Sequence, residues 1–350
     1  MSKIIVADIC SLTVDNQSTG HYFAVAQNYL DMFGDLEQVK VAGGPIYEQK
    51  FRDKVLRLPY NHVAGESKLQ EKWHELMNCR ALCRQMERGD ILIMQSVALV
   101  TAFVGIILFM HKSCRLFFIQ YNTESINTLL KKILWKIASH KVNGIIATFS
   151  DVAKEYGKPY IVVPDYVYAR NQHQSYLKFS ERKYDVCMLG HIYHDKGVLE
   201  ALEYLMGKGL RIIVAGKIGE PDIEPKIRSL ALQDSNIQLR IGYLQEREYQ
   251  TLMASSKYCM LNYRGRYNEH SSGVVYDALF HCTPVLVTDT KSTEIVRKFG
   301  MGVAFGNVVE LNIDRLLDER NYAGYQKCIK NYLLEQQKTI MQLLDFLKQA

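Results

Sequence analysis

The sequence predicts an α/β protein made of two doubly wound, parallel-sheet domains, and three observations lead there. Apolar runs of strand length alternate with segments of helical period along the whole chain, the pattern of right-handed βαβ crossovers that cover a parallel sheet. The runs, such as Ile4-Ile5-Val6-Ala7 and Val285-Leu286-Val287, are continuous rather than alternating, as in strands buried on both faces. At 350 residues the chain exceeds what one small core needs. The apolar period lapses from about Val167 to Lys183. The expected divisions are a domain over 1–166, a linker over 167–183, a second domain over 184–325 and a C-terminal helix over 326–350.

In the first half the expected strands are Lys3 to Ala7, Gln38 to Ala42, Asp90 to Met94, Leu116 to Gln120, Gly144 to Thr148 and Tyr160 to Val163. After the first comes Gln17-Ser18-Thr19-Gly20-His21, then a helical Tyr22 to Phe33 stopped by Gly34. A small-residue turn at that place, with Gly20 in it, is where a doubly wound fold holds a ligand, and an ordinary strand-to-helix turn explains it equally well. The apolar run from Ile91 to Met110 is long enough to raise a membrane span. Gln95-Ser96 splits it into a buried strand and a core helix from about Ala98, the reading preferred here. Gln95 ends the third strand, and Gln120-Tyr121-Asn122 ends the fourth, so Gln95, Tyr121 and Asn122 should open on one cleft. Amide and phenol groups suit sugar hydroxyls and are not bases; satisfied core polar groups are the competing reading.

Composition bounds the function classes. The chain is 48% hydrophobic and 23% charged, the balance of a folded globular protein. Its net charge of +6 is spread out with no long basic run, which suits an anionic small ligand or membrane surface rather than nucleic acid. Most of the eight cysteines sit in apolar runs, as small buried hydrophobes of a reducing compartment do. Cys79 and Cys83 lack a second pair for a metal. The first strand meets Asp8 too early for a signal-peptide core, which points to the cytoplasm. Leu129 to Lys141 reads as an amphipathic face or as a basic, apolar membrane contact.

The second half opens with Tyr184-Asp185-Val186-Cys187-Met188-Leu189-Gly190-His191, a strand ending in glycine, and a helix from Gly197 follows a loop that holds Lys196. Arg211 to Gly216 and Ile237 to Gly242 are further strands ending in glycine, the latter followed by Tyr243-Leu244 and the helix Glu246 to Ser255. The strand Tyr258 to Tyr263 then leads to Glu269, Ser271, Ser272 and Gly273. A short helix should start near Ser272, stop at Thr283-Pro284 and precede the strand Val285 to Val287. The first N–H groups of such a helix are unpaired and carry partial positive charge, so they cradle phosphate oxygens. Glu269 and Asp277 flank that cradle and should accept hydrogen bonds from hydroxyls; ordinary cap or surface acids are the alternative. Gly300-Met301-Gly302-Val303 reads as a glycine turn, and the chain is helical from Asp314 onward.

The layout Glu269, seven residues, Asp277-Ala278-Leu279, then Pro284-Val285 and Thr288-Asp289, resembles the Glu-x7-Glu signature of retaining GT-B glycosyltransferases of the family-four type. The resemblance covers Tyr184 to Gly306 by motif and order, and 1–165 by pattern. It implies two Rossmann-like domains facing a cleft, an acceptor side in the first and a donor nucleotide-sugar site in the second. The C-terminal helix would pack back toward the first domain. By the resemblance Lys196 neutralises the departing diphosphate, with His191 where the family has arginine and Arg264 or Arg266 able to compensate. Glu269 would contact the donor sugar. Ser272 and Gly273 would hold the donor diphosphate, with Gly190 and Ser271 also on the donor side, Gly20 in the glycine loop, Gly242, Tyr243 and Leu244 against the nucleobase, and Asp277, in place of the family's glutamate, at the ribose. Gln95, Tyr121 and Asn122 would meet sugar or acceptor.

The activity so implied is transfer of a sugar from a nucleoside-diphosphate sugar to a hydroxyl of a glycan or lipid-linked acceptor, with retention and no cofactor. Asp-x-Asp occurs nowhere, so no metal is expected. The partners expected are the nucleotide sugar, the acceptor and a peripheral membrane contact at the inner face of the cell membrane, with no nucleic acid. The alternatives are a GT-B nucleotide-sugar epimerase, an inverting transferase, or a catalytically weak nucleotide-sugar-binding partner protein.

Overall fold

The computed structural model describes residues 3–14, 17–18, 22–63, 65–95, 99–111, 113–121, 125–164, 176–268 and 272–349. The chain divides into two compact units, Met1–Arg170 with Gln337–Ala350, and Asn171–Gln336.

The first unit runs β1 (Ile4–Ala7), β2 (Leu12–Val14), β3 (Gln17–Ser18), α1 (Tyr22–Phe33), β4 (Val39–Gly43), α2 (Ile46–Phe51), β5 (Val55–Arg57), β6 (His62–Val63), α3 (Lys68–Gln85), β7 (Ile91–Met94), α4 (Val100–Phe109), β8 (Arg115–Gln120), α5 (Leu129–Ala138), β9 (Gly144–Ala147), α6 (Ser150–Lys154) and β10 (Tyr160–Val162). Its main sheet has the order β10-β9-β8-β7-β1-β4-β5, and every pair in it is parallel. Successive side chains of a strand point to opposite faces, and both faces here are covered. Ile5, Ala7, Leu92, Met94, Leu116 and Phe118 pack with residues of α3, α4 and α5. Ile4, Val6, Ile91, Ile93, Phe117 and Ile119 pack with α1, α2 and Ile340, Leu343, Leu344 and Leu347. That two-sided burial is why the strands read as unbroken apolar runs. The first half of α3 is started by a capping box between Ser67 and Gln70.

The second unit runs β11 (Tyr184–Leu189), α7 (Val198–Leu205), β12 (Ile212–Gly216), α8 (Ile223–Gln233), β13 (Ile237–Ile241), α9 (Glu246–Ala254), β14 (Ser256–Leu261), α10 (Gly273–Phe280), β15 (Val285–Thr288), α11 (Glu294–Phe299), β16 (Gly302–Phe305), α12 (Ile313–Leu317) and the first part of α13 (Glu319–Gln349), whose residues from Gln337 on belong to the first unit. Its sheet, β13-β12-β11-β14-β15-β16, is parallel throughout. The winding reverses between β11 and β14. In such a sheet ligands bind outside the carboxyl ends of the strands at the reversal, so the loops after β11 and β14 frame the candidate site. Tyr322 of α13 packs in this unit's core.

The two parallel α/β sheets bear out the predicted fold class, and the reasons for the departures are local. The segment after β1 is not a simple turn into a helix: β2 forms a small sheet with β3 and β6. Strands of two or three residues carry too little periodicity to show in sequence. β5, of three residues, is hidden for the same reason; β16 has four, but it opens on Gly302 directly after the Gly300-Met301 turn and so reads as part of a glycine turn. The C-terminal helical stretch is broken between α12 and α13 at Asp318. The apolar run from Ile91 divides into β7 and α4, and among the described residues no helix is long and apolar enough to cross a membrane.

Candidate functional site

Glycine backbones build the carboxyl edge of the second sheet. Gly190, after β11, has φ +100, and its N–H bonds Ala215 O at 3.0 Å. A Cβ on Gly216 would lie 1.8 Å from Gly190 O, so only glycine fits where those two loops meet. Gly242 continues the row by donating to Gly216 O at 3.0 Å. Beyond it Tyr243 is 70% exposed and Leu244 half-buried, a phenol ring standing in solvent beside the strand ends.

Across the reversal, the loop after β11 is pressed on the loop after β14. A Cβ on Gly197 would lie 2.1 Å from Asn262 O, and Gly197 takes the left-handed φ of +59 at the start of α7. Asn262 donates to Gly197 O at 3.0 Å and accepts from Thr288 Oγ1 at 3.2 Å. Arg264 N–H bonds Asp195 O at 2.9 Å. These bonds bring Lys196, at the end of a 3-10 turn over His194–Lys196, against the Gly265–Asn268 turn that precedes α10. Its Nζ lies 5.4 Å from the Tyr267 ring centroid. Tyr267 stacks on Tyr263 with centroids 5.1 Å apart, and the Tyr263 and Ser272 hydroxyls are hydrogen-bonded at 2.8 Å. Burial pushes the Tyr263 phenol up, opposed by the Ser272 bond, so it stays protonated. Ser272 precedes Gly273 with extended dihedrals and makes no side-chain cap bond; its hydroxyl is turned to Tyr263 instead. An ammonium group and a helix N-terminus thus share one corner, both suited to an anion.

Asp277 lies one turn further along α10, and its Oδ2 accepts from the Tyr249 hydroxyl of α9 at 2.9 Å. Burial, and then the Asp277 charge, push the Tyr249 phenol well up, so it acts as a fixed donor that orients the carboxylate. His191 is exposed and stacks on Tyr193 at 6.1 Å. The rest of that loop is held by acids: His194 N–H bonds Glu220 Oε2 at 2.5 Å, and its Nε2 lies 3.0 Å from Asp222 Oδ1. Arg264 pairs with Glu200, which engages the guanidinium proposed as a substitute at His191; the Arg266 side chain lies outside those described.

The far end of α10 is anchored by a charge that sequence reasoning missed. Arg182 is 1% exposed. Its Nη1 donates to Ser256 O and Thr283 Oγ1, both at 2.6 Å, and its Nη2 to His281 O at 3.1 Å and Cys282 O at 3.3 Å. A cation on the last carbonyls of a helix complements its dipole. The Tyr322 ring lies 5.7 Å from the guanidinium carbon. Nothing in the polar stretch around Arg182 distinguished it from a linker arginine.

In the first unit the strand ends carry buried polar groups. Among the described residues, Gln95, 1% exposed, has no partner for either atom of its amide, and Gln120, 5% exposed, has none for its Nε2. Tyr121 is half-buried against the sheet face that carries α1. Asp8, also missed, is 1% exposed; it accepts from Tyr47 OH at 2.8 Å and Cys10 N–H at 2.9 Å. Burial raises its pKa. Gly20, Asn122, Glu269 and Ser271 lie outside the described residues. The structure therefore sets the Lys196 ammonium beside Gly190, links it through Tyr267 and Tyr263 to Ser272 before Gly273, and ties Asp277 to Tyr249.

No protein-family model and no curated protein sequence matches the chain. Solved structures do match. AviGT4, a glycosyltransferase involved in Avilamycin A biosynthesis, superposes with a TM-score of 0.66 at 14% identity over 99% of this chain and 97% of its own. An E. coli trehalose-6-phosphate protein bound with UDP-2-fluoro glucose gives 0.69 at 10% identity over 100% and 99%. A mutant of S. aureus TarM in complex with Fondaparinux, alpha-GlcNAc-glycerol and UDP gives 0.58 at 14%, over 79% of this chain and 59% of that one. At these identities the likeness is one of fold, and the fold is that of GT-B glycosyltransferases.

Proposed function

We propose that the chain is a glycosyltransferase that moves a sugar from a nucleoside-diphosphate sugar to a hydroxyl of a glycan or lipid-linked acceptor, with retention and without a metal. The observation that carries this is the shared corner of Lys196 and the α10 start, linked through Tyr267, Tyr263 and Ser272 at the reversal of the second sheet. In this reading the diphosphate lies on the amides of Gly273 and its neighbours, and the Lys196 ammonium balances the charge that grows as the sugar leaves. The bond from the anomeric carbon to the diphosphate oxygen breaks, and a bond to the acceptor oxygen forms. The acceptor proton passes to the departing phosphate, so no protein base is required.

Tyr249 holds Asp277 toward the ribose hydroxyls, and Tyr243, with the Gly242 turn, faces the base. Glu269 contacts the donor sugar, and Gln95, Tyr121 and Asn122 line the acceptor side. Support from the neighbours is that two of them are bound to UDP or a UDP-sugar analogue. The reading places the protein in the cytoplasm, at the inner face of a membrane when the acceptor is lipid-linked. His191, an exposed imidazole where the family has arginine, favours a second reading: a nucleotide-sugar-binding partner protein of low turnover, which would bind nucleoside diphosphates and turn over no acceptor.

Lys196→Ala and Glu269→Ala should each lower release of nucleoside diphosphate from the nucleotide sugar that a thermal-shift panel identifies, the former by about a hundredfold or more, with unchanged circular dichroism. Full activity in both variants would sink the proposal.

A further inference from the structure

The first unit carries a surface that sugar transfer does not use. Helix α5 is seated through one face only: Trp135 and Ala138 are buried, Trp135 Nε1–H donates to Tyr156 O at 3.2 Å, and its ring packs on Phe103 and Phe118. The opposite face is apolar and open. Leu129 is 75% exposed, Leu130 55%, Ile133 51% and Ile137 51%. Leu129, Ile133 and Ile137 are spaced by four and so form one stripe along the helix. Lys132, Lys136 and His140 form a second stripe beside it, and all three are exposed.

The exposed charges of α5 itself are cationic, and the Glu155 carboxylate is engaged by the Ser125 and Ile126 N–H groups, in the segment before the helix, at 3.3 and 2.9 Å. No acidic residue occurs from Ser125 to Ser150. The inner lysines are engaged: Lys131 Nζ bonds Ser125 O at 3.1 Å, and Lys141 Nζ bonds Ile106 O, Ile107 O and Met110 O at 3.1, 2.9 and 2.8 Å, closing the end of α4. Lys132 and Lys136 form no ion pair among the described residues. Leu108, 61% exposed, lies on the last turn of α4 that Lys141 closes.

We propose that α5 docks flat on an anionic bilayer surface. The aliphatic stripe would enter the boundary between headgroups and acyl chains, while Lys132 and Lys136 extend their ammonium groups to lipid phosphates. Four large aliphatic side chains left in water at one place are costly for a monomer, and the exposed Lys132 and Lys136 beside them, which form no ion pair among the described residues, match a negative leaflet. The inference adds a partner surface to the reading above, and its test records vesicle binding alone, so failure of transfer and failure of docking are separate results.

The test is co-sedimentation of the full chain with phosphatidylcholine vesicles and with phosphatidylcholine vesicles containing phosphatidylglycerol. Binding should require phosphatidylglycerol and weaken with salt. The pair Lys132→Gln with Lys136→Gln should weaken it roughly thirtyfold, from the attraction of two cationic side chains to an anionic leaflet. The pair Ile133→Ser with Ile137→Ser should weaken it roughly tenfold or more. Both pairs alter exposed positions, so thermal midpoints should hold. Absence of binding to the anionic vesicles, equal binding to both vesicle types, or parental binding by both double variants overturns the proposal.

Discussion

Replacing Arg182 by methionine tests whether a buried charge holds the α10 end of the candidate site. Methionine fills much of the same space, so the loss falls on hydrogen bonding. The two shortest bonds go to Ser256 O and Thr283 Oγ1, whose residues are 0% exposed; leaving each acceptor unmatched costs about 1–3 kcal/mol. His281 O and Cys282 O count for less, because Cys282 O also accepts from Gln326 at 3.1 Å. Against about 2–6 kcal/mol of lost bonding stands the relief of no longer burying a guanidinium. Burial already lowers the Arg182 pKa. A net loss of about 2–4 kcal/mol is expected. The assay separates the units, since both tryptophans, Trp73 and Trp135, lie in the first. In urea the far-ultraviolet circular dichroism transition should gain an early component while the tryptophan transition keeps its midpoint. A loss under about 1 kcal/mol would refute the claim that these bonds hold the helix.

Two further outcomes are expected. Burial, and then Arg182 nearby, lower the His281 pKa from 6.5 to about 4. The unfolded chain therefore takes up this proton at a higher pH than the folded one. The second unit should lose up to about 3 kcal/mol as pH falls from 6.5 toward 4, and hold that stability above 6.5. His281→Asn should flatten the pH dependence of the melting temperature, and an equal slope in the variant would count against it. Tyr249→Phe keeps the ring and deletes the donor to Asp277. Nucleoside diphosphate affinity, read by calorimetry, should fall about tenfold, and an unchanged affinity would show that the phenol does not orient the acid.

Sequence alone determined the repeating strand-and-helix order, because a strand buried on both faces must be apolar throughout and a crossover helix must be apolar along one side. It also located the glycines: Gly190 and Gly197 stand where positive φ and close backbone approach admit little else. The helix start at Gly273 was legible from Ser272 and the apolar spacing that follows. Tertiary structure decided everything that depends on which distant residues meet. Tyr249 reaches Asp277 across 28 positions, and Arg182 reaches Thr283 across 101. The alliance of Lys196 with Tyr267 and Tyr263, the small sheet of β2, β3 and β6, and the outward turn of Leu129, Ile133 and Ile137 were equally hidden. Periodicity records how a side chain must face, which is local, whereas the identity of its partner is set only when the sheet order brings separate loops to one edge.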